Sequence, residues 1–225
     1  MNSAPSVAIL DVNQTLSDLR PLAARFEAVG APGDLLATWF AATLRDGIAL
    51  AASGRYAAFP EVARAALRPL LARVRGLDAP LDEAADHVLA GIGTLSLHPD
   101  VEPGLRRMRD AGLPIATLTN GSAATTVGLL ERAGLADLVE RNLDVGEVGR
   151  WKPAPEPYAY ACRALGVAPG AAALIAVHPW DVHGAKCAGL RGGWLDRHRE
   201  PYPSAFLAPD ACAADLPALV DRLIE

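Results

Sequence analysis

The stretch Ser6-Val-Ala-Ile-Leu-Asp-Val-Asn-Gln-Thr15 decides how this chain folds. Val7-Ala-Ile-Leu10 is a continuous apolar run that ends on a carboxylate, Asp11, with Thr15 four residues further on. Such a short run, bounded by polar residues, reads as a buried strand of the kind found inside parallel sheets. A carboxylate at the carboxyl end of a parallel strand lies where open α/β sheets bind ligands, and it reads as a nucleophile. Three further polar sites stand in similar positions: Thr119-Asn120 after the apolar run 113–118, Lys152 in Arg150-Trp-Lys-Pro153, and Asp181 after Ala173-Leu-Ile-Ala-Val177. Together they predict one active site.

Outward from that strand the period changes. Over 19–95 the apolar residues recur at helical spacing with no convincing strand between them, and Leu35, Leu36, Trp39, Phe40, Thr43 and Leu44 share one helical face. Pro32-Gly33-Asp34 opens that helix, Pro60 precedes another near Glu61, and Pro80-Leu-Asp-Glu83 starts a third. From Val101 onward helices and strands alternate: helix 104–111, strand 115–119, helix 123–133, a short strand near 143–145, helix 156–165, strand 172–177, helix 183–188, strand 193–195 and helix 216–224. This alternation predicts an α/β fold with a doubly wound parallel sheet. The expected core is 1–16 plus 97–225, and the expected helical insert is 17–96.

At 225 residues and 51% hydrophobic, the chain is long enough to bury a full core. A net charge of -5 without runs of like charge argues against nucleic-acid or membrane partners and for a small-molecule ligand. Cys162, Cys187 and Cys212 form neither a CxxC pair nor a Cys/His cluster, so no disulfide framework or zinc site is expected. Met1-Asn-Ser-Ala-Pro-Ser6 lacks a basic n-region, and the first apolar run is too short for a signal peptide or a membrane span. The expected setting is the cytoplasm.

These residues resemble the haloacid dehalogenase superfamily over nearly the whole chain. Within it the chain is most similar to the type II L-2-haloacid dehalogenases, through Leu118-Thr-Asn-Gly-Ser122, Lys152-Pro153 with Tyr158 six residues on, and Trp180-Asp181 followed by Gly184-Ala185. The resemblance implies a Rossmann-like core with a helical cap inserted after the first strand. It implies that Asp11 attacks the halogen-bearing carbon of a small 2-haloacid, displacing halide and forming an ester that water hydrolyses. Thr15 would hydrogen-bond the nucleophile, Lys152 would hold it ionised, and Asp181 would pair with Lys152 and activate the water. Thr119 and Asn120 would bind the substrate carboxylate or the ester oxygen, although Asn120-Gly121 also reads as an ordinary turn. Tyr158 would donate to the Lys152/Asp181 cluster or pack its helix. Trp180 would line the pocket or be core. His178 stands where the resembled enzymes have asparagine; it would bond the water or halide, or be a satisfied buried histidine.

Three departures bear on the reaction. Superfamily phosphatases have a general-acid Asp two residues after the nucleophile, where this chain has Asn13, and an acid that helps hold Mg²⁺ where this chain has Val177. Both losses favour carbon–halogen chemistry without a cofactor, since halide leaves unprotonated. The type II enzymes also carry a halide-binding arginine two residues after a cap tryptophan, and after Trp39 this chain reads Phe40-Ala41. Arg20, Arg45 or Arg55 would have to supply a cation, or Trp39, Phe40, Phe59, His178 and Trp180 a different halide pocket. The alternatives are a Mg²⁺-dependent phosphatase acting on a small phosphate ester and a non-catalytic binding protein. The resembled enzymes are often dimers, and the apolar cap helices would supply an interface.

Overall fold

The computed structural model describes residues 4–225; residues 1–3, at the head of the expected core segment and of the expected leaderless N-terminus, lie outside the described residues. A six-stranded sheet runs β5 (Arg141–Asp144), β4 (Ile115–Thr119), β1 (Val7–Leu10), β6 (Ala172–Ala176), β7 (Arg191–Leu195), β8 (Ala211–Ala213), with every neighbouring pair parallel. β1 is central, with Ala8 paired to Ile115 on one side and to Ala173 on the other. Its alternate side chains enter two cores. Ala8 and Leu10 pack with α5 (Val101–Asp110), α6 (Ala123–Arg132) and α9 (Leu216–Ile224), whereas Val7 and Ile9 pack with α7 (Pro155–Leu165) and α8 (Pro179–Cys187). A strand covered on both faces has no solvent side, which is why Val7-Ala-Ile-Leu10 is apolar without alternation. The chain leaves β1 for β4 and β5, then crosses back to β6 on the other side. Strand order therefore reverses around β1, the place where such sheets open a ligand crevice beyond their carboxyl ends.

The insert departs through β2 (Ser17–Asp18) and returns through β3 (Ser96–Leu97), an antiparallel pair in which Ser17 faces Leu97. Between them lie α1 (Leu22–Glu27), α2 (Leu35–Ala52), α3 (Phe59–Leu71) and α4 (Leu81–Ala90), with a core that includes Phe26, Trp39, Val62, Leu67, Leu71 and Val88. α2 has 18 residues and a mean hydropathy of 1.3, long and apolar enough to cross a membrane by length and composition. Its Trp39, Phe40, Thr43 and Gly47 are buried within the cap, and its outer face carries the Arg45–Asp46 ion pair.

Several boundaries differ from the periodicity. α3 and α8 begin earlier than expected because Pro60 and Pro179 sit inside the first turn, where a missing N–H costs nothing. Asp181 therefore stands on the first turn of α8 and not in the loop before it. α5 likewise starts at Val101, with Pro103 in its first turn. The six-residue α1 and the three-residue edge strand β8 are too short to leave a periodic signal.

Core and cap meet through Trp151. Its buried indole stacks on Phe59 at a centroid distance of 5.8 Å and donates Nε1–H to Ala57 O at 3.0 Å. The ring also lies against Gly47, where an added Cβ would come within 2.2 Å of indole carbon. Gly47→Val is expected to displace the indole and lower unfolding stability by about 1–3 kcal/mol, the usual range for overpacking. Urea denaturation checks this, and an unchanged midpoint would mean that the indole is free to move.

Candidate active site

Three strand ends and two helices bring the expected residues together. Asp11 continues β1 by donating its N–H to Ile175 O (3.0 Å), and its carboxylate turns to meet Lys152 from the loop before α7. Lys152 is fully buried. Its Nζ donates to Asp11 Oδ1 at 2.9 Å, to Asp181 Oδ2 at 2.6 Å and to Leu118 O at 2.8 Å. An ammonium has three protons, and all three are engaged, so Lys152 acts here as a fixed charge with no donor to spare.

The loop that carries Lys152 is clamped by Asn120. Lys152 N–H donates to Asn120 Oδ1 (2.8 Å), and Asn120 Nδ2 donates back to Lys152 O (3.2 Å). The amide thus supports the Lys152 backbone, with one of its two Nδ2 protons used there. Thr15 Oγ1 accepts from Val177 N–H (3.1 Å) and donates to Asp11 Oδ2 (2.6 Å), tying the end of β6 to the nucleophile candidate. Tyr158 OH donates to Asp181 Oδ1 (2.7 Å).

The two carboxylates differ in their environments. Burial works to raise the Asp11 carboxyl, but the charges of Lys152 and His178, with hydrogen bonds from Lys152 and Thr15, hold its pKa below the ordinary value. Burial also raises Asp181; Lys152 and Tyr158 oppose this, the Asp11 charge adds to it, and the balance is a raised pKa. Burial disfavours charge on Lys152, yet the two carboxylates outweigh it and hold the lysine protonated. Tyr158, pushed well up by burial and by Asp181, stays a phenol and a donor.

The remaining expected contacts divide. His178 Nε2 lies 3.8 Å from Asp11 Oδ2 and 3.1 Å from Asn13 O, and its ring stacks between Phe40 (6.2 Å) and Trp180 (5.1 Å). Thr119 Oγ1 accepts from Gly121 N–H (2.9 Å), which leaves the hydroxyl proton free to donate. Trp39 is not brought to the site: its indole is in the cap core and donates to Ala63 O at 2.8 Å. Nor are the substitute arginines. Arg20 and Arg45 pair with Asp18 and Asp46 at the surface, and Arg55 is exposed. Beside Thr119 lies a cavity of about 290 Å³ between cap and core, which includes Val12, Asn13, Phe59, Leu89, Ile92 and Leu129 in its lining. Of these only Phe59 was expected, because the walls come from segments that share no motif.

A capped, doubly wound α/β enzyme with a buried Asp–Lys–Asp cluster is the class that this arrangement defines. Residues 6–189 match the model of the haloacid dehalogenase-like hydrolases, and the chain belongs to that family. It is 29% identical over 215 residues to the (S)-2-haloacid dehalogenase of Pseudomonas sp. strain YL, covering 94% of this chain and 91% of that one. It is also 32% identical over 225 residues to the plasmid phosphoglycolate phosphatase of Cupriavidus necator, covering 98% and 91%. A third relative, the phosphoserine phosphatase of Thermus thermophilus, is 42% identical over 122 residues; the match covers 53% of this chain and only about half, 48%, of that relative's length. Among solved structures, the L-2-haloacid dehalogenase of Xanthobacter autotrophicus superposes with a TM-score of 0.86 at 26% identity, covering 96% and 97% of the two chains. The same protein with chloropropionic acid covalently bound gives 0.85.

Two outcomes follow from the cluster. Lys152→Met leaves two buried carboxylates unpaired and is expected to cost about 3–5 kcal/mol of stability at neutral pH. In that variant both folded pKa values rise above their unfolded values. The penalty is therefore full above the folded pKa values, fades as pH falls through them and is gone below the ordinary carboxylate value, which denaturation at several pH values would show. Tyr158→Phe removes a hydrogen bond to ionised Asp181, so the Asp181 titration, followed by carboxyl ¹³C NMR, should move to higher pH; a move downward would contradict the assignment.

Proposed function

We propose that this hydrolase cleaves the carbon–halogen bond of a 2-haloacid, with Asp11 as nucleophile and without a metal ion. An Asp11 carboxylate oxygen attacks C2, the new C–O bond forms as the C–X bond breaks, and halide leaves with the bonding pair. Water then adds to the carboxyl carbon of the Asp11 ester. Asp181 takes a proton from that water and returns it to the departing alkoxide, giving the 2-hydroxy acid and the Asp11 carboxylic acid, whose remaining water proton is released to solvent to regenerate the carboxylate. The opposite pKa displacements of the two acids suit these roles: the depressed one stays anionic to attack, and the raised one is the better base. Thr119 Oγ–H is the available donor for the substrate carboxylate.

The observation that carries this reading is that the cation between the two carboxylates is Lys152 Nζ, at 2.9 and 2.6 Å. The residues present do not suit Mg²⁺, which needs near-octahedral oxygen ligation. Both Asp181 oxygens receive protein donors, the Asn13 carbonyl faces His178 Nε2, and among the described residues no three acidic, His or Cys side chains converge as a cation site. Asn13 also cannot protonate a departing alcohol, whereas halide needs no proton.

The likeness to the Xanthobacter and Pseudomonas dehalogenases supports this reading. The full-length likeness to a phosphoglycolate phosphatase keeps a second one in view, hydrolysis of a phosphate ester through the same Asp11. The test is halide release from 2-chloropropionate enantiomers in EDTA beside phosphate release from phosphoglycolate with Mg²⁺. Halide release that persists in EDTA and is abolished in Asp11→Asn is expected. In single turnover in H₂¹⁸O, label should enter Asp11 and not the product. Phosphate release alone would overturn the proposal in favour of the second reading.

A further inference from the structure

The cavity beside Thr119 is larger than a two- or three-carbon haloacid requires. About 290 Å³ holds roughly ten water-sized groups, whereas a halopropionate fills about half of that. The cavity adjoins the site: of its lining residues, Val12 and Asn13 directly follow Asp11 in the chain, and Thr119 and Gly121 flank the Asn120 that clamps Lys152. Its walls are mixed. Asn13, Ser17, Thr119 and Ser122, with Thr125 and Thr126 of α6, bring polar groups to the lining, while Phe59, Pro60, Leu89, Ile92 and Leu95 bring apolar ones from the cap side and Leu129 adds another from α6. No ionisable side chain lines it, so a second charged group on the substrate would be buried without a partner there.

Resting on the dehalogenase reading, we propose that the preferred substrate is a 2-haloacid with an apolar C2 substituent of about four to six carbons or a phenyl ring, seated in this cavity. Every buried methylene then favours the complex by about fourfold. The wall also offers a means of control. Gly93, in the turn after α4, is part of the lining and has nothing within 4 Å of the position a Cβ would take, so a larger residue is built there without a clash.

The experiment compares kcat/KM for halide release across 2-bromopropionate, 2-bromobutanoate, 2-bromohexanoate and 2-bromo-3-phenylpropanoate, in the wild type and in Gly93→Leu and Ala90→Leu. A climb of about fourfold per methylene to the six-carbon acid is expected, with the ratio of long to short substrate falling about tenfold or more in both variants. Two variants guard against one that fails to fold, and circular dichroism identifies such a failure. Halide release that is flat or declining with chain length overturns the cavity assignment while leaving dehalogenation intact. A wild-type climb whose ratio survives both folded variants also overturns it, because the tail then lies elsewhere. Absence of halide from every substrate overturns the dehalogenase reading itself.

Discussion

A fully buried ammonium between two buried carboxylates is the constraint around which this protein is built. Moving an ammonium out of water costs several kcal/mol, and Lys152 is tolerated only because Asp11, Asp181 and the Leu118 carbonyl take its three protons. The dependence runs both ways, since either carboxylate alone in that interior would take up a proton. Holding the three groups within hydrogen-bond reach requires β1 and β4 to end, and α8 to begin, at one level and the Lys152 loop to be anchored from both sides. Asn120 provides one anchor through the backbone, and the Trp151 indole, seated against Gly47 and Phe59, provides the other from the cap. Cap docking and lysine placement are therefore one problem.

Two chemically identical side chains acquire different proton affinities from what surrounds them. Asp11 has Lys152 and Thr15 as donors and His178 nearby, and it is the more stabilised anion. Asp181 has Lys152 and Tyr158 but feels the Asp11 charge, and the outcome is the opposite displacement. With one ammonium shared between them the two acids titrate as a pair, and the first proton taken up belongs mostly to Asp181. The division of labour proposed for Asp11 and Asp181 would need no further device.

The sheet was legible because a parallel interior strand has a plain signature: Val7-Ala-Ile-Leu10 and Ala172–Ala176 are apolar at every position, and polar residues, Asp11 and His178, follow within two positions. The helical insert was legible as a change of period. Asp11 could be picked out because it ends a strand that the pattern had already placed, and the roles expected of Thr15, Lys152 and Asp181 came from the motifs that carry the resemblance. Asn120 was recognised as important but not in its placement, since its partner is backbone 32 residues away. Trp39 and Phe40 are neighbours on α2, and which of them faces the core depends on how α2 packs against α3: the indole reaches Ala63 O, while Phe40 reaches His178. The cavity left no trace, being the space between segments and not a property of any one of them.

Near relatives bearing dehalogenase and phosphatase names are about equally similar over the full chain, so overall likeness does not choose the reaction. The choice has to come from the few groups next to Asp11. The side chain at Asn13 decides whether a leaving oxygen can be protonated, and an amide cannot do it. The Asn13 carbonyl is 3.1 Å from His178 Nε2, and the His178 ring is packed between Phe40 and Trp180. An imidazole wedged there competes for the oxygen with any cation and needs its aromatic neighbours to stay. On the dehalogenase reading, a change to phosphoryl chemistry would therefore require more than an acid at Asn13: His178 and its stacking partners would have to give way together, because the imidazole contacts both the Asn13 carbonyl and the cap aromatic Phe40.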